Sequence, residues 1–97
     1  SPRWFENDDA FVAQIELPGV DPKDVSLEVG DNALRLSAER KSKSQKDDSE
    51  SAISYRQSFT VPEEIDTEKV TAKFDEGVLS VTFPKTEVVK PRRIEIK

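Results

Sequence analysis

Apolar residues recur at every second position along most of this chain, and that spacing restricts what it can build. Phe11, Ala13, Ile15 and Leu17 alternate with Val12, Gln14 and Glu16. Val25, Leu27 and Val29 repeat the pattern, as do Leu34, Leu36 and Ala38. It returns in Tyr55, Gln57, Phe59 and Val61, in Val70, Ala72 and Phe74, and in Leu79, Val81 and Phe83. Side chains at i and i+2 share one face of an extended strand, so each run predicts a strand with one buried face. No stretch sustains a helical period of 3.6 residues.

Turn chemistry separates the runs. Leu17-Pro18-Gly19-Val20 predicts a tight turn, with Pro18 presetting φ and Gly19 supplying positive φ. Asp21-Pro22-Lys23-Asp24 predicts one capped turn with proline in its first helical position. Gly30-Asp31-Asn32 and Asp75-Glu76-Gly77 predict hairpins, Gly77 taking the positive-φ position of the second. Glu63–Lys69 predicts a connector with one short turn. Residues Lys41–Ser51 contain no apolar member, which predicts a mobile polar loop. Strands of five to eight residues without helices imply an all-β fold, an antiparallel sandwich or small barrel.

A chain of 97 residues predicts one domain. With 36% charged and 34% apolar residues, the core is thin and open to support by assembly. The net charge of −5 argues against nucleic acid as the main partner. No apolar run reaches membrane-spanning length. Cysteine and histidine are both absent, which removes thiolate chemistry, disulfides, the usual zinc ligands and the commonest general base. Absence of cysteine fits a reducing compartment, hence a cytoplasmic location. Absence of methionine implies that a segment precedes Ser1. The carboxylate pairs Asp8-Asp9, Asp47-Asp48 and Glu63-Glu64 read as solvated surface, and the three glycines are scattered turn residues rather than a phosphate cradle. No catalytic, cofactor or metal residues are expected.

After the last hairpin the chain turns polar. Lys85-Thr86-Glu87-Val88-Val89-Lys90-Pro91-Arg92-Arg93 reads as a solvated linker, so the domain is drawn over residues 1–84 and an extension over 85–97. The extension ends in Ile94-Glu95-Ile96, two β-branched knobs on one side of an extended segment. On the tail alone, two readings stand: a plug for a groove or a terminal strand of the same domain. Lys90 with Arg92-Arg93 reads as a solubilising flank. Trp4-Phe5 reads as an edge-strand packing pair with a possible dimer contact.

Several of these segments, in order, resemble the α-crystallin domain of small heat-shock proteins, an immunoglobulin-like antiparallel β-sandwich. The likeness rests on Asp8-Asp9-Ala10-Phe11, Glu16-Leu17-Pro18-Gly19-Val20, Ala38-Glu39-Arg40-Lys41, Phe59-Thr60-Val61-Pro62, Ala72-Lys73-Phe74-Asp75-Glu76-Gly77-Val78-Leu79 and Ile94-Glu95-Ile96. The Leu-Pro-Gly-Val turn leans toward bacterial or plant members. The resemblance implies ATP-independent holding of unfolding client proteins, no catalysis, no cofactor, and assembly into homodimers and larger oligomers. It also favours docking for Ile94 and Ile96. The groove would lie between Val25, Leu27 and Val29 on one strand and Val70, Ala72 and Phe74 on another, near Leu79 and Val81. Dimer contacts would fall on Trp4, Phe5, Tyr55, Arg56 and Gln57.

Three positions depart from the family pattern. Glu76 stands for its usual turn asparagine. Gln57, with Arg56 beside it, stands for an arginine that often bridges the dimer. The 41–55 loop is shorter than in most bacterial and plant members, which leaves open whether a swapped loop strand or an extended seventh strand makes the dimer. The rival reading is a co-chaperone of the CS-domain type, which shares the sandwich but lacks the Ile-x-Ile tail and binds a folded chaperone. An adhesion or carbohydrate-binding sandwich fits less well, given zero cysteine and few aromatics.

Overall fold

In the computed structural model the described residues are 2–44, 46, 47, 49–87 and 91–97. Among them seven strands form: β1 (Arg3–Glu6), β2 (Ala10–Glu16), β3 (Val25–Gly30), β4 (Ala33–Lys43), β5 (Glu50–Thr60), β6 (Thr71–Asp75) and β7 (Val78–Pro84). They make two antiparallel sheets, one ordered β1-β2-β7-β6 and one ordered β3-β4-β5. Among the described residues no hydrogen-bonded ladder joins the sheets, so the apolar layer between them couples them. The fold is the two-sheet β-sandwich that the alternation implied.

The inner face of each strand is its alternating apolar set. Ala13 pairs with Val81, Ile15 with Leu79 and Phe11 with Phe83 across β2 and β7. Leu34, Leu36 and Ala38 of β4 answer from the other sheet. Phe83, Leu34 and Val81 are the largest fully buried side chains. Full burial of one such side chain contributes about 1.5–3 kcal/mol, so these three carry much of the packing. Central strands β2, β7 and β4 hold the deepest residues. Strands β3 and β6 lie on sheet edges and bury the same alternating positions only in part.

The turns follow their sequence signals. Val20 N–H donates to Leu17 O (3.2 Å) and Gly19 has φ +77°. A Cβ at Gly19 would meet only the flexible end of the Arg40 side chain (Nε at 2.8 Å), so it is the positive φ that calls for glycine. Asp21 caps the 3-10 turn Pro22–Asp24 by accepting from Lys23 N (3.1 Å). A second 3-10 turn, Thr67–Lys69, is capped by Asp66.

Two expectations are corrected. Lys41–Lys43 and Glu50–Ser51 are not loop but strand, paired Lys41↔Ala52, Ser42↔Ser51 and Lys43↔Glu50. The hairpin β4–β5 therefore has two strands of eleven residues, longer than expected. Its outer part has no apolar face because neither side packs on a sheet there, and a ribbon wet on both faces shows no hydrophobic period. Ser42 Oγ and Ser51 Oγ sit 2.7 Å apart across it, and Ser44 N–H donates to Ser49 O (2.7 Å) to close it. Hydrogen bonds from the Ser49 hydroxyl and amide, then from the Ser44 hydroxyl, hold the Asp47 carboxyl below its usual pKa. Gln45 and Asp48, also assigned to the polar loop, lie outside the described residues.

The second correction concerns the β6–β7 turn. Both Glu76 (φ 49°) and Gly77 (φ 79°) have positive φ, and so do Asp31 (φ 50°) and Asn32 (φ 59°) between β3 and β4. Two consecutive positive-φ residues match the right-handed twist of the flanking strands. The strained position is thus shared by Glu76, where asparagine or glycine fits better than glutamate. Glu76→Asn is expected to stabilise by about 0.5–1 kcal/mol, raising the melting temperature by a few degrees. Gly77→Val is expected to cost on the order of 1–3 kcal/mol. The nearest atom to a Gly77 Cβ is Pro18 Cα at 3.7 Å, an ordinary contact, so that loss is conformational rather than steric. Thermal melts of both variants check the assignment; equal melting temperatures contradict it.

Candidate binding groove and assembly edges

An open sandwich of two unjoined sheets has two long sides, each bounded by one edge strand from either sheet. One side here lies between β3 and β6. The inner-facing residues Val25 and Leu27 of β3 and Ala72 and Phe74 of β6 open outward there, with Pro22 at one end and Leu79 beneath. The opening has a volume of about 240 Å³. Edge position leaves Val25, Leu27 and Phe74 half exposed and Ala72 exposed, because each strand lacks a neighbour on that side. Val29 and Val70 continue the same apolar line and pack against the core. Leu79 is the floor, but Val81 is fully buried in the core and does not face the opening. Of the residues expected to line a groove, Val25, Leu27, Ala72, Phe74 and Leu79 lie together around this opening, and Val81 lies behind it.

Ile94 and Ile96 are 83% and 94% exposed, and residues 91–97 carry no secondary structure. In the single chain the tail neither fills the groove nor joins a sheet. Val88, Val89 and Lys90 of the expected linker lie outside the described residues. Of the first linker residues, Lys85 is buried and Thr86 half-buried, while Glu87 is exposed. Lys85 N–H donates to Asp9 O (2.8 Å), and Thr86 N–H donates to Glu64 O (2.9 Å).

The opposite side lies between β1 and β5. Trp4 and Phe5 sit on β1, and Tyr55, Arg56 and Gln57 sit at mid-β5. Tyr55 and Gln57 line one cleft with Arg3, and Trp4 and Phe5 line another with Thr60 and Pro62. Residues expected at a dimer contact are thus gathered on one side, except that Arg56 points to the outer face of the β3-β4-β5 sheet. There it borders a hollow of about 570 Å³ with Ser26, Glu28, Arg35, Leu36, Ser37 and Ser58. Pro18 and Gly19 adjoin Gly77 at one end of the sandwich, where Leu17 N–H donates to Gly77 O (2.7 Å).

Sequence reasoning missed Lys85. Its side chain is only 6% exposed, and Nζ lies 2.7 Å from Glu6 Oε2 and 2.8 Å from Asn7 O. The ammonium also lies 4.8 Å from the Phe11 ring centroid. These contacts tie the end of β1 to the end of β7. Glu6 is 59% exposed, so solvent screens much of the ion pair and the hydrogen bonds carry more of the hold. A lysine directly after a strand-ending proline offered no signal of this, because its partners are seventy-odd residues away in sequence.

A family model described as Hsp20/alpha crystallin family matches residues 3–97. The chain belongs to the Hsp20/alpha crystallin family. It is 40% identical over 102 residues to 16.9 kDa class I heat shock protein 1 of Triticum aestivum, covering 96% of this chain and 68% of the wheat protein. It is 29% identical over 98 residues to small heat shock protein C2 of Rickettsia felis, covering 95% of this chain and 64% of that protein. The chain thus spans about two thirds of the length of these curated relatives. The crystal structure of a small heat-shock protein from Xylella fastidiosa, described as having a distinct high order structure, superposes with a TM-score of 0.74. Its identity is 30%, over 100% of this chain and 96% of that one. The bacterial and plant leaning of the Leu-Pro-Gly-Val turn agrees with these relatives. Among the described residues no helix is long and apolar enough to cross a membrane.

Lys85→Ala is expected to cost about 1–2 kcal/mol, the range for lost hydrogen bonds to a charged group, and to loosen β1. Trp4, whose ring centroid lies 5.7 Å from that of Phe83, is the single tryptophan and reports the change. Its emission shifts to the red and amide exchange along β1 accelerates. Unchanged emission and exchange contradict the tether.

Proposed function

We propose that this chain is the core domain of an ATP-independent holdase, which binds unfolding proteins and assembles into dimers and larger oligomers. One observation carries the reading. An apolar groove stands open between β3 and β6 while two exposed isoleucines stand on a tail that does not fill it. Alternating side chains of an added strand fit pockets between two sheet edges. Burying each isoleucine contributes up to about 1.5–3 kcal/mol before ordering costs. A single docked tail is therefore weak, and many tails on one assembly act together through effective concentration. Such an assembly holds together yet exchanges subunits, and exchange uncovers grooves and edge strands that accept apolar segments of clients. The reading places the protein in the cytoplasm, acting in stress and without catalysis.

Two measurements test it. Ile94→Gly/Ile96→Gly is expected to shrink the assembly in light scattering while leaving the melting temperature unchanged, because both residues lie outside the core. A folded variant of undiminished mass removes the tail from assembly; an unfolded one makes the isoleucines core residues. The protein is also expected to suppress heat-induced aggregation of a client without nucleotide. A requirement for ATP hydrolysis by this chain overturns the holdase reading.

A further inference from the structure

Side chains on the outer face of the β3-β4-β5 sheet are free of core packing, and the ladder registers lay out the middle of that face as two rows. Ser26, Ser37 and Arg56 lie side by side across β3, β4 and β5, and Glu28, Arg35 and Ser58 form the next row. All six residues are exposed, and they line one hollow of about 570 Å³.

Across β4 and β5 these rows make a square. Arg35 stands opposite Ser58 and Ser37 opposite Arg56, so the arginines occupy one diagonal and the serines the other. Diagonal neighbours on an antiparallel pair lie about 7–8 Å apart, within reach of long side chains. Two guanidinium groups can therefore meet over a centre that two hydroxyls flank. Among the described residues neither arginine has an ion pair. Glu28 stands opposite Arg35 across β3 and β4 without closing a salt bridge to it. Two like charges so placed repel each other, and a doubly charged oxyanion between them turns the repulsion into attraction.

The donor set selects the anion. Arginine presents a planar fork of donors that binds phosphate bidentately, and serine hydroxyls donate to further oxygens. A carboxylate fills one fork, whereas a tetrahedral phosphate has oxygens for both forks and for a hydroxyl. Serine also matters for its size: the short side chains of Ser26, Ser37 and Ser58 leave the hollow open between the arginines.

We propose that Arg35, Arg56, Ser37 and Ser58 form an oxyanion site that takes a phosphate group. The hollow is far larger than a phosphate ion, so it has room for a group that carries the phosphate as an ester. Glu28 borders the site on β3 and repels the ligand from that side, which places the phosphate toward β5. The net charge of −5 repels anions at long range. At physiological ionic strength charges beyond about 8 Å are largely screened, so the local guanidinium pair decides. The inference rests on the registers of β3, β4 and β5 and is independent of the holdase reading.

Calorimetric titration of the full chain at constant ionic strength tests it, with inorganic phosphate and O-phosphoserine as probes and chloride as the control anion. Phosphate is expected to bind with a heat that chloride does not give. Arg35→Gln and Arg56→Gln are each expected to lower phosphate affinity about tenfold. Arg35→Lys lowers it too, since an ammonium cannot form the fork. Glu28→Gln is expected to raise affinity about threefold. Ser37→Asp sets a carboxylate between the guanidinium groups and is expected to abolish binding. Lys73→Gln removes a cation from the other sheet and is expected to change nothing. Phosphate also stabilises proteins by exclusion from their surface, so melting is read as a difference. The unaltered chain gains more from phosphate than Arg35→Gln/Arg56→Gln does. Tighter binding of O-phosphoserine assigns the site to a phosphate ester, and tighter binding of inorganic phosphate assigns it to the free ion. Equal heats for phosphate and chloride, or a loss in Lys73→Gln as large as that in Arg56→Gln, overturns the site. Unchanged melting temperatures without ligand keep misfolding out of the result.

Discussion

The contact between Val81, Phe83 and Ala13 of one sheet and Leu34 and Leu36 of the other supports everything else in this protein. Among the described residues no backbone ladder crosses between the sheets, so this one apolar layer fixes their separation and relative position. A layer so thin closes over only the central strands. Strands at the sheet margins must leave their inner residues partly wet. The same constraint that limits stability therefore creates the groove between β3 and β6 and the clefts between β1 and β5.

An antiparallel sandwich that does not close into a barrel keeps four unpaired edges, and each is a template for pairing. In this chain the edges are treated differently. Strand β1 is tethered through Glu6 and Asn7 to buried Lys85, which holds a four-residue edge in place. Strands β3 and β6 are short and frame an apolar groove suited to a side-chain pair. Strand β5 is long, sparsely charged and continues past the body of the sandwich as a two-stranded ribbon. Membership of the Hsp20/alpha crystallin family is the setting in which the proposal reads these unfilled surfaces as places for other polypeptides. Neither surface requires a reactive side chain, and recognition by burial and strand addition needs none.

How much was legible in the sequence depended on whether a residue's environment was local. The alternation of Ala13, Ile15 and Leu17, or of Leu79, Val81 and Phe83, predicted buried faces correctly because a strand's face follows from period two alone. Leu17-Pro18-Gly19-Val20 and Asp21-Pro22 predicted turns that form as read, since the required φ angles belong to those residues. The ribbon of Lys41–Lys43 and Glu50–Ser51 escaped that reading, because strands without a core on either side carry no apolar signal. Glu76 escaped it for another reason. Glycine advertises positive φ, but a glutamate forced into that region by its hairpin does not.

The sequence by itself determined the core-facing strands, the turns marked by glycine and proline, the thinness of the core and the family, because each follows from neighbours along the chain. Only the tertiary structure decided which strands become edges, and so which apolar residues stay reachable. Val81 and Ala72 pair in register on adjacent strands, yet Val81 is wholly buried and Ala72 is exposed. Strand order makes β7 central and β6 marginal. Lys85 shows the same division, since its burial depends on Glu6, Asn7 and Phe11, brought to it by the pairing of β1, β2 and β7. Burial at a sheet margin is set by which strand lies alongside, and that is a property of topology rather than of local spacing.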